Sequence, residues 1–221
     1  MSRAGACHPR LNRYYRQYLS DEDSAAFIKA VSQDYTLGTL ERLASHNRRV
    51  VRRAAIMALG FLADFAANAV LGRALHDDDR GVRIIAENAI CELWQRDGNE
   101  AQRQQLRVIL RRNASQRYAE AAELASALID SAPWFAEAWN QRAIALFHLD
   151  RFADSACDCY QALELNPYHF GAAVGRAHCF LELNDAFAAL ENLRRALRLN
   201  PGLEGVRAQV DYLERSLDAP P

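Results

Sequence analysis

Asn166-Pro167 recurs as Asn200-Pro201, and Ala132-Pro133 precedes the first of these pairs by the same interval. Nothing else in the chain restricts its fold as much. A fixed interval of this size marks stacked helical hairpins, each too small to bury its own apolar face and obliged to lay it against the next. The prolines fit that reading, because proline disfavours helical geometry in the residue before it and so ends the second helix of each hairpin.

Residues 136–167 laid over residues 170–201 match Ala138 with Ala172, Arg142 with Arg176, Ala143 with Ala177, Leu149 with Leu183, Ala162 with Ala196, Leu163 with Leu197 and Leu165 with Leu199. Small residues at Ala143/Ala177 and Ala162/Ala196 allow close helix approach, while Trp139, Leu146, Phe180 and Leu193 fill the space between. Asp150-Arg151 and Asn184-Asp185 interrupt the apolar pattern as turns. The run Trp139, Ala143, Phe152, Ala162 and Pro167 resembles the tetratricopeptide repeat. Two units are clear. In a third, Tyr118, Ala121 and Pro133 fit the second helix but residues 102–112 lack the aromatic and small signature, which predicts a partial repeat. After the last unit, Leu203, Val206, Val210, Leu213 and Leu217 recur at helical spacing and predict a capping helix.

A second, slightly shorter period occupies the first half. Leu40, Arg42, Arg49, Val51, Arg52, Ala55, Ala58 and Leu62 return at one constant offset as Leu71, Arg73, Arg80, Val82, Arg83, Ala86, Ala89 and Leu93. Val-Arg-x-x-Ala after a polar turn resembles HEAT-type repeats of the short class related to those of phycobilin lyases. Asn47 and Asp78 are expected near helix N-termini, where side-chain oxygens accept orphan backbone donors. Ser20-Asp21-Glu22-Asp23 reads as another helix start, with Phe27, Ile28 and Val31 facing inward. The Arg- and Tyr-rich segment 9–18 is either a further helix or a mobile arm, read as a solvated terminus ahead of a binding arm.

These signals, with sparse Gly and Pro and no alternating strand pattern, predict an all-α fold: a right-handed α-solenoid with HEAT-like repeats stacked on tetratricopeptide repeats. Residues 1–35 are expected to be capping helices, 36–97 the HEAT-like repeats, and 98–221 the tetratricopeptide repeats with their cap. Asp97-Gly98-Asn99 is the expected boundary, and the lack of a long linker predicts one continuous body.

The formal net charge is -1 and Lys29 is the only lysine. The chain as a whole therefore has no electrostatic pull toward nucleic acid or an anionic membrane. Five cysteines without framework spacing suit a reducing compartment, and no apolar leader or run of membrane-spanning length occurs, so a soluble cytoplasmic protein is expected. No nucleophile elbow or phosphate-cradling glycine loop is present. Cys157 and Cys159, two apart on a helix, point in nearly opposite directions and cannot share a zinc ion with His148, His178 and Cys179. No enzyme activity, cofactor or metal is expected.

What remains is a protein-interaction scaffold. In tetratricopeptide arrays the first helix of each unit lines a concave surface, and the resemblance implies that Glu137, Asn140, Ile144, Phe147, His148, Val174, His178, Leu181 and Glu182 form the groove. Such a mixed stripe suits an extended peptide or a helix with apolar anchors. Ile144 and His178 stand where family members that clamp a C-terminal carboxylate would place Asn, which argues against that activity. Arg142 and Arg176 are read as supports of the hairpin. An alternative is a nucleic-acid-associated scaffold using the basic patch Arg48, Arg49, Arg52 and Arg53, or the cluster Arg103, Arg107, Arg111 and Arg112; against it, the acidic run 77–79 is placed to pair with the first cluster. A lyase-like enzyme is a remote third reading, and association into homo-oligomers through an uncapped end is left open.

Overall fold

The computed structural model describes residues 10–218. Among these residues every regular element is helical and no strand occurs. Cys7 and Pro9 lie outside the described residues, and so does the stretch expected to lack a leader. The chain divides into two compact units, one ending at Leu93 and one beginning at Trp94.

The first unit opens with α1 (Arg10–Asp21) and α2 (Ser24–Asp34). The Arg- and Tyr-rich segment is a packed helix from Arg10 onward. Leu11 and Tyr15 are buried, the Leu11 amide donates to the Tyr35 hydroxyl at 3.0 Å, and the Tyr14 hydroxyl donates to Asp34 at 2.6 Å. The expected helix start at residues 20–23 is corrected in detail. Ser20 and Asp21 end α1, Glu22 turns the chain through a left-handed φ of 56°, and only Asp23 caps α2, accepting from the Ala26 amide at 2.9 Å. Phe27 and Val31 are buried as expected, with Ile28 partly so.

Four further α-helices follow: α3 (Leu37–Leu43), α4 (Arg49–Leu62), α5 (Asn68–Ala74) and α6 (Arg80–Gln95), the last two residues of which, Trp94 and Gln95, belong to the second unit. The starts of α5 and α6 follow those of α3 and α4 by the interval seen in the sequence, so that period is a helix-pair period. The capping expectation moves by one residue. The residue before α4 is Arg48, with no side-chain cap, and before α6 it is Asp79, not Asp78, whose carboxylate accepts from the Val82 amide at 3.0 Å. Small residues set the α4–α6 spacing: a Cβ added to Gly60 would stand 2.7 Å from the Cβ of Ala89.

The second unit contains α7 (Glu100–Ala114), α8 (Tyr118–Ser131), α9 (Ala136–Phe147), α10 (Phe152–Leu165), α11 (Phe170–Glu182), α12 (Ala186–Leu199) and α13 (Glu204–Asp218). Gly98, at φ 77°, and the reciprocal Asn99/Gln102 capping box start α7. The turns joining α7 to α8, α9 to α10 and α11 to α12 each hinge on one left-handed residue: Gln116, Asp150 and Asn184, at φ 59°, 57° and 60°. These three keep the interval of the prolines, so the stretch with the weakest sequence signature, 100–131, folds as a complete hairpin like its neighbours. Backbone geometry repeated where side chains did not.

Asn166 and Asn200 follow the same interval. Each accepts from the amide two residues on, at 3.1 and 2.9 Å, which holds the chain in the turn that its proline begins. Ala143, Ala162, Ala177 and Ala196 are all buried at helix contacts. Val206, Val210 and Leu213 of α13 join the same core, covering the apolar edge of the α11–α12 hairpin.

Candidate functional site

A groove of about 360 Å³ opens between α9, α10 and α11. Asn140, Ala143, Ile144, Phe147 and His148 line it from α9 and its C-cap, Ser155 and Cys159 from α10, and Gly171, Gly175 and His178 from α11. Of the residues expected from the sequence, Asn140, Ile144, Phe147, His148 and His178 converge here. Val174 and Leu181 instead pack against the core of α10–α13, and Glu182 lies exposed beyond the groove.

Glu137 is the clear correction. It is buried and points into the helix packing, where its carboxylate accepts from Gln141 Nε2 at 2.7 Å, His169 Nε2 at 3.0 Å and Asn140 Nδ2 at 3.2 Å. His169 Nδ1 accepts from the Ala172 amide at 3.1 Å, which assigns the ring proton to Nε2. The ring stacks on Trp94 with centroids 4.3 Å apart. Gln141 in turn accepts from Asn113 of α7 at 2.9 Å. Burial alone pushes the Glu137 carboxyl up, but the hydrogen bonds from His169, Gln141 and Asn140 outweigh it and hold the group below the ordinary carboxylate range. The network ties three first helices together from inside. Asn140 serves both, lining the groove while spending its amide on Glu137.

The groove is walled mainly by carbon. Ile144 is exposed along it, and Phe147 meets Phe152 edge-on at 5.3 Å. His148 stacks on Tyr118 at 4.3 Å, with planes 14° apart, and His178 Nε2 sits 3.3 Å from Gln209 Oε1. Ser155 donates to the Ala143 carbonyl at 2.8 Å and accepts from Cys179 at 3.1 Å, so its hydroxyl is used internally. A hydrogen bond between Cys159 and Cys179, together with burial, pushes the Cys159 thiol well up, so the wall presents a neutral thiol. No lysine or arginine is among the described residues that line the groove.

Sequence reasoning missed the floor. Ser155, Cys159, Gly171 and Gly175 carry no family signature, yet Gly171 and Gly175 are four apart on α11 and so share a face. A Cβ on Gly175 would come within 3.2 Å of Cys159 Sγ. Two glycines at helical spacing opposite a small-residue helix were the available signal.

Two of the four arginines of the basic patch, Arg52 and Arg53, are engaged within the first unit, while Arg48 and Arg49 lie exposed. Arg52 makes a bidentate pair with Asp77, at 2.7 Å for both bonds, and also reaches Asp78; Arg53 grips Asp79 at 2.6 and 2.7 Å. In the second cluster Arg107 pairs with Glu100, Arg112 with Glu120, and Arg103 donates to the Gly98 carbonyl. Cys157 is exposed and Cys159 buried, on opposite sides of α10. Among the described residues no helix is long and apolar enough to cross a membrane.

No family model matches the chain. It is 33% identical over 82 residues to Sperm-associated antigen 1 of Rattus norvegicus, covering 37% of this chain and 9% of that protein. It is 31% identical over 85 residues to a TPR repeat-containing protein of Rhizobium etli, covering 38% and 42%, and 33% identical over 107 residues to the Hsp70-Hsp90 organizing protein of Triticum aestivum, covering 48% and 18%. The carboxy-terminal hairpins have the tetratricopeptide-repeat fold. The chain spans less than half the length of each of these relatives. Among solved structures, the first TPR of Spaghetti (RPAP3) bound to an HSP90 peptide covers 52% of this chain and 95% of its own at 23% identity and TM-score 0.48. The TPR2AB domain of yeast Sti1 covers 92% and 95% at 17% identity and TM-score 0.47.

Proposed function

We propose that the chain is a non-catalytic interaction scaffold whose carboxy-terminal unit holds an extended peptide or short helix of a protein partner in the α9–α10–α11 groove. One observation carries the reading: Ile144 and Phe147 of α9 share an open groove with His148, His178 and Asn140, so apolar anchors and hydrogen-bonding side chains face the same space. Peptide grooves combine these two elements, the first for affinity and the second for register. The wheat relative is named as an organizing protein of Hsp70 and Hsp90, which favours a role in bringing proteins together. The amino-terminal helix pairs belong, in this reading, with short HEAT-like repeats, and the thiols of Cys157, Cys159 and Cys179 suit a reducing cytoplasm.

The test is selection of peptides from a displayed library on the intact chain, followed by affinity measurements with Phe147→Ala plus His178→Ala. Loss of a large aromatic anchor predicts a drop of about tenfold or more for the selected peptides. Peptides that bind the double variant as well as the parent would place the interaction on another surface and end this reading.

A further inference from the structure

Arg142 and Arg176 occupy equivalent positions in successive hairpins, but the structure gives them different company. Arg142 holds Asp158 through two bonds, Nε to Oδ2 at 2.7 Å and Nη2 to Oδ1 at 2.8 Å, and donates from Nη1 to Ser126 Oγ at 3.1 Å. One interval later, Asp158 becomes Asn192 and Ser126 becomes Tyr160. Asn192 turns its amide to the Ala188 carbonyl at 2.8 Å. Arg176 is left between two rings, its guanidinium carbon 4.8 Å from the centre of Tyr160 and 5.4 Å from that of Phe180. Its Nε is buried without a hydrogen-bond partner, and no carboxylate among the described residues pairs with it.

A half-buried guanidinium without a counter-ion is costly, and the neighbouring hairpin shows which group completes it. The two rings flank the guanidinium and restrict it, as cation–π contacts do, which lowers the entropic cost of capturing an anion. The adjoining helix α12 carries Arg194, Arg195 and Arg198 against one acid, Glu191, so its charge is net positive. Arg194 reaches across to Glu214 of α13 at 2.6 Å. Neither Arg176 nor its flanking rings line the groove described above.

We propose that Arg176, clamped by Tyr160 and Phe180 beside the basic helix α12, is a second docking point that takes a carboxylate from an acidic segment of a protein partner. The Asp158 carboxylate on Arg142 is the internal template for that ligand. The two hairpins thus divide one device: the first is closed by its own acid, the second by someone else's.

Hexaglutamate is the probe, with hexaglutamine and inorganic phosphate as comparisons, titrated into the isotope-labelled chain while the arginine side-chain NH signals are followed. Hexaglutamate is expected to shift the Arg176 signal and hexaglutamine to leave it. Arg176→Gln should weaken hexaglutamate binding by about tenfold or more, the usual loss when a charge-assisted pair is removed. Asn192→Asp, which keeps the side-chain shape but gives up the bond to the Ala188 carbonyl, should do the same by supplying an internal carboxylate. Ala119→Glu, adding the same charge elsewhere on this unit, should change affinity less than about twofold. The groove variant Phe147→Ala plus His178→Ala should bind hexaglutamate normally, so failure of the groove reading and failure of this one are distinguishable. Unchanged affinity in both Arg176→Gln and Asn192→Asp, or a shift of Arg176 by phosphate but not by hexaglutamate, would overturn the proposal.

Discussion

His169 Nε2 donates to Glu137 Oε2 at 3.0 Å inside the helix packing, across 32 residues of sequence. Phe135 and Leu203, one interval to either side of His169, are apolar. A polar side chain thus replaces an apolar one where a buried carboxylate awaits it. His169→Phe keeps a ring for Trp94 to stack on but removes a donor from Glu137, and should destabilise the second unit by about 1–3 kcal/mol in denaturant titrations. Because the Glu137 carboxyl is held below its ordinary range in the folded chain, its contribution is complete above that range and is lost as pH falls through the folded value. The parent's advantage over His169→Phe should shrink on acidification; a constant gap across pH would show that the hydrogen bond is not what stabilises the carboxylate.

Asp79 gives the corresponding test in the first unit. Hydrogen bonds from Arg53, then the Val82 amide, hold its carboxyl down at about 2 against the cost of burial. The group therefore stabilises the fold at neutral pH and loses that effect between roughly pH 4 and 2. Asp79→Asn should cost about 2 kcal/mol at pH 7 and close to nothing near pH 2. Thermal melts at both pH values would decide it.

Gly60 is held by sterics. Alanine there would gain about 1 kcal/mol in helix propensity, yet its methyl would stand 2.7 Å from the Ala89 Cβ. Overpacking of this kind costs about 1–3 kcal/mol, so Gly60→Ala should be net destabilising. Adding Ala89→Gly should restore part of the loss, and a midpoint unmoved by the single change would mean the helices part freely.

The three left-handed turn residues make the repeat testable at the backbone level. Gln116→Gly should stabilise the chain by up to about 1 kcal/mol, since glycine meets no steric penalty at φ 59°. Asp150→Ala and Asn184→Ala should each cost about 1 kcal/mol, as alanine tolerates the left-handed region less well. Unchanged stability in all three variants would mean that the turn conformation is not retained.

Much of this was legible in the chain. Local rules placed the helices: prolines at 133, 167 and 201 end three of them, Asp150 and Asn184 turn the chain, and the recurrence of Val-Arg-x-x-Ala sets α4 and α6 in register. These features are local, because a proline or a left-handed turn acts on its own few residues whatever surrounds it. Residues 100–131 were harder, since their hairpin is held by the turn at Gln116 and by Leu106, Ile109, Ala121 and Ala125 in the core, none of which has a repeat signature strong enough to define the unit.

The sequence by itself determined the period, the ends of the proline-punctuated helices and the all-α class, since each follows from the conformational preferences of short segments. Only the tertiary structure decided which polar side chains face outward. Glu137 and Ile144 both fit a groove-facing stripe on α9, but His169 and Gln141 reach one of them inside the packing and leave the other open to solvent. Arg142 and Arg176 are identical as letters, and what separates them is the carboxylate that folding brings to one guanidinium and the pair of rings that it brings to the other. Desolvation and pairing are decided by neighbours distant in sequence, and the period does not say which of those neighbours a side chain meets.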